Sequence, residues 1–271
     1  MLLKGKRALI MGVANKRSIA WGIARAFHRE GATLAFTYQG ERLKENLVEL
    51  LGEIGGAEAF PMFPCDVTAD EQIAAVFGGL KERWGALDVL VHCLAFADRA
   101  DFARPFSAIS RKGYALALDI SAYSLIPCAG AARPLMETAG GGSIFTLTYN
   151  AVERVVPSYN VMAIAKAALE CEVRYLAADL GSSNIRVNAI SAGPLRTLAA
   201  SAVKGLTEFR DAVEEIAPLR RNITQEEVGD VAVFLASDLS RAVTGNTIFA
   251  DSGFHVMGVA GQVEVRKKTE A

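Results

Sequence analysis

Short runs of β-branched and aromatic residues alternate along the chain with longer segments whose apolar residues recur every three or four positions. The runs are Arg7–Met11, Thr33–Tyr38, Ala59–Pro64, Val89–Cys93, Ser143–Thr148, Arg186–Ile190 and Thr247–Ala250. Each reads as a strand. Between the first two, Ile19, Ile23 and Phe27 keep helical spacing and Gly31 follows as a stop signal, which makes that segment a crossover helix. Strand and helix alternating in this way predict one α/β domain, a doubly wound, seven-stranded parallel sheet with helices on both faces.

Composition narrows the class of ligand. The chain has 271 residues, 51% of them hydrophobic, with a net charge of −1. That length supports one sizeable core. Affinity for nucleic acid comes largely from Lys and Arg neutralising phosphates, and the near-zero charge without a long basic run argues for small molecules instead. Cys65, Cys93, Cys128 and Cys171 form no CxxC pair and are expected to be reduced, buried thiols. His28, His92 and His255 sit in no metal-like cluster, and no metal site is expected. The start, MLLKGKRALIMGVANKR, has the basic patch of a signal sequence, but its apolar run is short and meets Lys16 and Arg17, so it reads as the first strand. No stretch reads as a spanning helix, and the expected location is the cytoplasm.

A glycine, Gly12, directly follows the first strand, and GVANKRSIA leads from it into the crossover helix. Glycine permits a tight turn beneath a pyrophosphate, and Ser18 and Ile19 fall at the helix N-terminus, whose N–H groups attract phosphate. Ala20 is small enough for close helix packing. The spacing is not GxGxxG, so an ordinary strand-to-helix turn is the competing reading. After the second strand, Gln39 is placed to bond ribose hydroxyls, and the first cation is Arg42, behind Glu41. This favours NADH over NADPH, since a 2′-phosphate calls for Arg or Lys immediately after the strand. After the third strand, Asp66 and Val67 can hold the adenine, or Asp66 or Thr68 can cap a helix. Leu94, in CLAF after the fourth strand, lies where the dinucleotide passes.

The chemistry centres on Tyr149-x9-Tyr159-x6-Lys166. If Tyr159 opens a helix running to about Leu180, a spacing of seven puts it on one face with Lys166, roughly 10 Å away. Val156 and Pro157 just before it support that start. In the common short-chain dehydrogenases the acidic tyrosine precedes its lysine by four, and here that slot is Met162, which cannot donate a proton. Carbonyl reduction puts hydride on the carbon bearing the oxygen. Enoyl thioester reduction puts it on Cβ and develops charge on an oxygen two carbons away, which suits a tyrosine set further from the lysine. Tyr149 is either an active-site partner or an aromatic closing the strand-end loop.

These segments, with HREGATLAFTYQ, CDV at 65–67, LDISAYS at 118–124, RVNAISAGPLRTLAAS at 186–201 and DSGF at 251–254, resemble the short-chain-dehydrogenase-like enoyl-acyl-carrier-protein reductases of bacterial fatty acid synthesis almost end to end. The resemblance implies a Rossmann-like reductase domain over 1–271 with a substrate lid around 195–215 and a disordered tail over 260–271. It implies that Tyr159 bonds the thioester carbonyl and that Lys166 supplies a positive field and holds the nicotinamide ribose. Tyr149 and Ala97 would lie beside the substrate. Leu195, Thr197, Leu198 and Ala199 would cover NADH, with Leu198 to Val203 a mobile apolar lid. An amphipathic helix packed on the sheet is the other reading of that stretch.

The chain departs from the family pattern at two places. Cys93-Leu94-Ala95-Phe96 stands where many relatives have Ser-Ile-Gly-Phe, and Asn150-Ala151 where a pair such as Leu-Gly is usual. Partners implied are the acyl carrier protein and other copies of the chain, in a tetramer through helices around 111–138 and 159–180. Lys204, Arg210, Arg220 and Arg221 are either carrier contacts or solvated charges. Asp119 is either a buried polar group facing the site or a subunit contact, and Ser121 and Tyr123 share that ambiguity. A carbonyl reductase would want a tyrosine at position 162. A dinucleotide-binding regulator would not need the tyrosine–lysine pair.

Overall fold

Successive side chains of a strand point to opposite faces, and here both faces are apolar. On β1 (Arg7–Met11), Ala8 and Ile10 enter one buried cluster while Leu9 enters the other with Met11. The same division holds on β2 (Thr33–Tyr38), with Leu34 and Phe36 against Ala35, and on β4 (Val89–His92), with Val89 and Val91 against Leu90. With β3 (Met62–Pro64), β5 (Gly142–Thr148), β6 (Ile185–Ala192) and β7 (Thr247–Ala250) these strands form one seven-stranded sheet in the order β3-β2-β1-β4-β5-β6-β7. Every pairing is parallel. The computed structural model describes residues 1–197 and 206–258.

Helices cover both faces. One layer holds α1 (Ile19–Arg29), α2 (Glu41–Leu51) and α9 (Gln225–Ala236). The other holds α3 (Asp70–Trp84), α6 (Leu125–Thr138) and α7 (Val161–Leu180). In chain order two short helices, α4 (Arg99–Ala103) and α5 (Arg111–Leu118), lie between β4 and α6, and α8 (Leu206–Ile216) precedes α9. The α1–α9 contact is backbone-close: a Cβ on Gly22 would stand 2.7 Å from the Gln225 carbonyl oxygen. Glycine costs a helix interior about 1 kcal/mol relative to alanine, and here it lets two helices approach.

The predicted strands are all present. The third begins at Met62 rather than Ala59, because Ala57–Ala59 close a 3₁₀ turn. The helix expected from Tyr159 begins two residues later, at Val161. Ser158 and Asn160 have φ of 64° and 42°, left-handed conformations that interrupt a right-handed helix. Asn160 is held there by its side-chain amide, which donates toward the carbonyls of Asp101, Phe102 and Arg104. The expectation of four buried thiols holds for Cys65 and Cys128, while Cys93 is half-buried and Cys171 is exposed on α7.

The helix around 111–138 is not uniform. Asp119–Tyr123 form a π-turn between α5 and α6, closed by the Ser124 amide donating to the Asp119 carbonyl at 3.1 Å. Contrary to expectation, Arg111–Thr138 is long enough to span a membrane and contains an 18-residue stretch apolar enough to do so, with a mean hydropathy of 1.4. Its Leu125, Cys128, Ala129, Ala132, Leu135 and Met136 are packed in the core, which accounts for that composition.

Candidate active site

The strand order reverses between β1 and β4, and ligands of such sheets bind outside the carboxyl ends at this point. Gly12 sits there with φ 96°, and a Cβ on it would come within 2.0 Å of the Cys93 carbonyl oxygen. No other residue fits where the ends of β1 and β4 converge. Ser18 stands at the N-cap of α1, but its hydroxyl turns back to accept the amides of Ala14 and Asn15 at 3.1 and 3.0 Å. The loop after Gly12 is thus tied down by the residue that begins the helix. Ile19 opens α1 and packs on the core. A glycine-floored loop ending at a helix N-terminus fits a dinucleotide pyrophosphate.

At the other end of this crevice, the Gln39 amide donates to Asp66 at 2.8 Å. Asp66 also accepts the amide and hydroxyl of Thr68 at 3.0 and 2.7 Å, bonds that lower its pKa. Neither Asp66 nor Thr68 caps α3, whose N-cap is Ala69. Val67 beside them is buried in the core.

On the catalytic side, the left-handed turn before α7 delivers Tyr159 to Tyr149, which directly follows β5. Their rings lie 5.0 Å apart at 54°. Burial pushes both phenols' pKa values up, and for Tyr149 the proximity of Tyr159 and Asp251 adds to it. Met162 is buried with Val161, Ala165, Ala117 and Ala97, and Tyr159 packs against this cluster. Lys166, 5% exposed, points its ammonium at the Leu94 carbonyl, 3.5 Å away. Burial depresses its pKa to about 8, against the opposing fields of Cys93 and Glu170. Glu170 in turn accepts the Thr148 hydroxyl at 2.6 Å.

Leu195 is buried after the Gly193-Pro194 turn, and the Thr197 amide donates to its carbonyl at 2.9 Å. Leu198 and Ala199, with the whole of the expected apolar lid to Val203, Lys204 and the tail over 260–271 lie outside the described residues. Of the two departures in sequence, Asn150 is buried and its Oδ1 has no partner among the described residues. No group of His, Cys, Asp and Glu able to hold a metal ion occurs among the described residues. Asp119 is exposed, so it is not the buried polar group facing the site.

A family model described as enoyl-(acyl carrier protein) reductase matches residues 12–255. The chain belongs to this family. A Nostoc relative named enoyl-acyl-carrier-protein reductase (NADH) FabI is 54% identical to this reductase over 259 residues, 95% of this chain and 99% of that one. The crystal structure of the Bacillus cereus enoyl-acyl carrier protein reductase with NADP+ and indole naphthyridinone has a TM-score of 0.92 at 54% identity, covering 95% and 99% of the two chains. That of the Anaplasma phagocytophilum enzyme in complex with NAD has a TM-score of 0.91 at 44% identity, covering 97% and 98%.

The sequence of the reductase offers His92 and Ser121 singly, but not the polar group they form with Ser124 and Thr146 behind the catalytic loop. His92 is fully buried, with Nδ1 3.1 Å from the Thr146 hydroxyl and Nε2 2.8 Å from that of Ser124. Burial, with Lys166 nearby, lowers its pKa to about 3, so it is neutral. LDISAYS was the visible signal for this group, but the pairing depends on tertiary contact.

Proposed function

We infer that this chain reduces the carbon–carbon double bond of trans-2-enoyl thioesters carried on acyl carrier protein, with NADH as reductant, in the last reductive step of fatty acid elongation. The observation that carries this is the Tyr149–Tyr159 pair in ring contact, with Met162 in the slot a carbonyl reductase fills with tyrosine. When bound, NADH supplies the hydride that adds to Cβ. Negative charge then grows on the thioester oxygen, where the Tyr159 hydroxyl donates a hydrogen bond. Its raised pKa keeps the phenol protonated across the working range. The Lys166 ammonium adds a stabilising field, strong because the group is buried. Lys166 would also hold the ribose hydroxyls, orienting the nicotinamide, and a proton taken from solvent at Cα completes the saturation.

Gly12, Ser18 and Ile19 would cradle the pyrophosphate, Gln39 the adenosine ribose, and Asp66 and Val67 the adenine. Leu94, Leu195 and Thr197 would hold the nicotinamide half, and Ala97 and Tyr149 would line the acyl side. The Asp66 carboxylate hydrogen-bonded to Gln39 opposes a 2′-phosphate, which supports NADH over NADPH. The enzyme works in the cytoplasm as a homotetramer. The test follows NADH and NADPH absorbance in parallel with a trans-2-enoyl thioester, in wild type, Tyr159→Phe and Met162→Tyr. Enoyl-dependent NADH oxidation that drops sharply in Tyr159→Phe supports the reading. Binding of coenzyme without turnover in the wild type would overturn it in favour of a regulator.

A further inference from the structure

We propose that Ser121 is a positioning residue for this reaction, setting from the π-turn the loop Cys93–Ala97 that carries the hydrogen-bond acceptor of Lys166. The proposal rests on the role given to Lys166 above. Ser121 is fully buried, and its one hydroxyl serves both backbone groups of Phe96, accepting from the amide at 2.9 Å and donating to the carbonyl at 3.0 Å. Three residues on, Ser124 is also fully buried and lies 2.8 Å from His92 Nε2. The same turn therefore grips the residues on either side of Cys93–Ala95.

Between these grips lie the parts that matter to the site. The Leu94 carbonyl receives Lys166, and the Cys93 carbonyl forms the floor against which only glycine fits at position 12. The π geometry is part of the device. Because the Ser124 amide bonds five residues back to Asp119, the Ile120 carbonyl loses the amide a regular helix would give it, and the Ser124 hydroxyl donates to it at 2.7 Å. On the far side, the Thr146 hydroxyl donates to the His92 carbonyl at 2.9 Å. A neutral imidazole carries one N–H and each hydroxyl one proton, so the hydroxyl facing the unprotonated ring nitrogen bonds it by turning its proton from its carbonyl to the ring. In either arrangement the ring is pinned at both nitrogens.

A group that merely fills hydrogen bonds would affect stability alone. A positioning group also alters catalysis and the titration of Lys166, which faces Cys93, His92 and Glu170. Ser121→Ala should lower kcat by about 10- to 100-fold, the scale of a misplacement near 1 Å. It should also move the alkaline limb of kcat/KM for NADH upward, because a loosened loop admits water to the ammonium. Ser121→Thr, which keeps the hydroxyl, should recover most of both. If Ser121→Ala fails to fold, Ser124→Ala releases the other end of the loop and is judged by the same readouts. A variant that melts earlier but keeps the wild-type kcat and limb overturns the proposal. In Lys166→Arg the limb should vanish, since guanidinium stays charged. If it persists, the reading of Lys166 fails and takes the proposal with it, whereas its loss beside an unaffected Ser121→Ala overturns the proposal alone.

Discussion

Lys166 is the residue whose charge the fold controls most directly. An ammonium taken out of water loses hydration, and its pKa falls to about 8 as a result. The protonated form is the one that helps, so its contribution is full below that value and disappears as pH rises through it. We expect kcat/KM for NADH, which reports the free enzyme, to be level near neutrality and to fall above about pH 8 in a pH–rate profile. The phenols do not share this limb, because burial moves their titration well above it. Tyr159→Phe removes the donor to the developing oxyanion and should lower kcat by about 100-fold or more with little change in coenzyme affinity, as steady-state kinetics and calorimetry would show. Tyr149 touches Tyr159 through its ring rather than through a bond to it. Tyr149→Phe should therefore act mainly on KM for the enoyl thioester and lower kcat by less than about tenfold.

At the scale of elements, the contact of α1 with α9 ties packing to coenzyme binding. Gly22 meets the Gln225 backbone, and the Gln225 side chain reaches past it to donate to the Ser18 carbonyl at 2.8 Å. Gly22→Ala would gain helix propensity but force α9 away, for a net loss of about 1–3 kcal/mol. Urea unfolding should show a lower midpoint at unchanged slope, and NADH affinity should weaken because Ser18 organises the pyrophosphate loop. Elements of this kind were legible where periodicity decides them: the strands from Arg7 to Ala250 lie within or over the apolar runs, the third shortened to Met62–Pro64, because a parallel sheet buries both faces. The site was legible less evenly. Gly12 and the tyrosine–lysine spacing announced themselves, but the turn that aims Tyr159 depends on left-handed Ser158 and Asn160, held by carbonyls some 56 residues away in sequence. The π-turn and its serine contacts were hidden for the same reason. A buried hydroxyl's partner is set by the register of distant segments, and local residue preference carries no trace of it.

The whole molecule presents apolar surface that a single chain does not cover. Tyr114, Tyr123 and Ile126 are exposed along Arg111–Thr138, and Tyr175 on α7 is 75% exposed. Glu172, one helical turn from Tyr175, has a carboxylate oxygen that is buried without a partner among the described residues, and burial raises its pKa to about 7. A polar atom withdrawn from water and left unpaired is costly, and a second copy packed on these helices would supply both the cover and a donor. Two-fold packing is the economical arrangement, since one self-complementary face then serves both subunits. The same helices carry Lys166 and the π-turn, so association would also stiffen the walls of the active site. Analytical ultracentrifugation should give a mass about four times 28.9 kDa for the wild type. Ile126→Asp with Tyr175→Asp places charge in the proposed contact and should yield smaller species with an unchanged far-ultraviolet circular dichroism spectrum. Because the loop held by Ser121 then loses support from behind, kcat should fall along with the mass. A double variant that remains a tetramer would move the interface elsewhere on the surface, and a dissociated enzyme with full kcat would separate assembly from the geometry of the site.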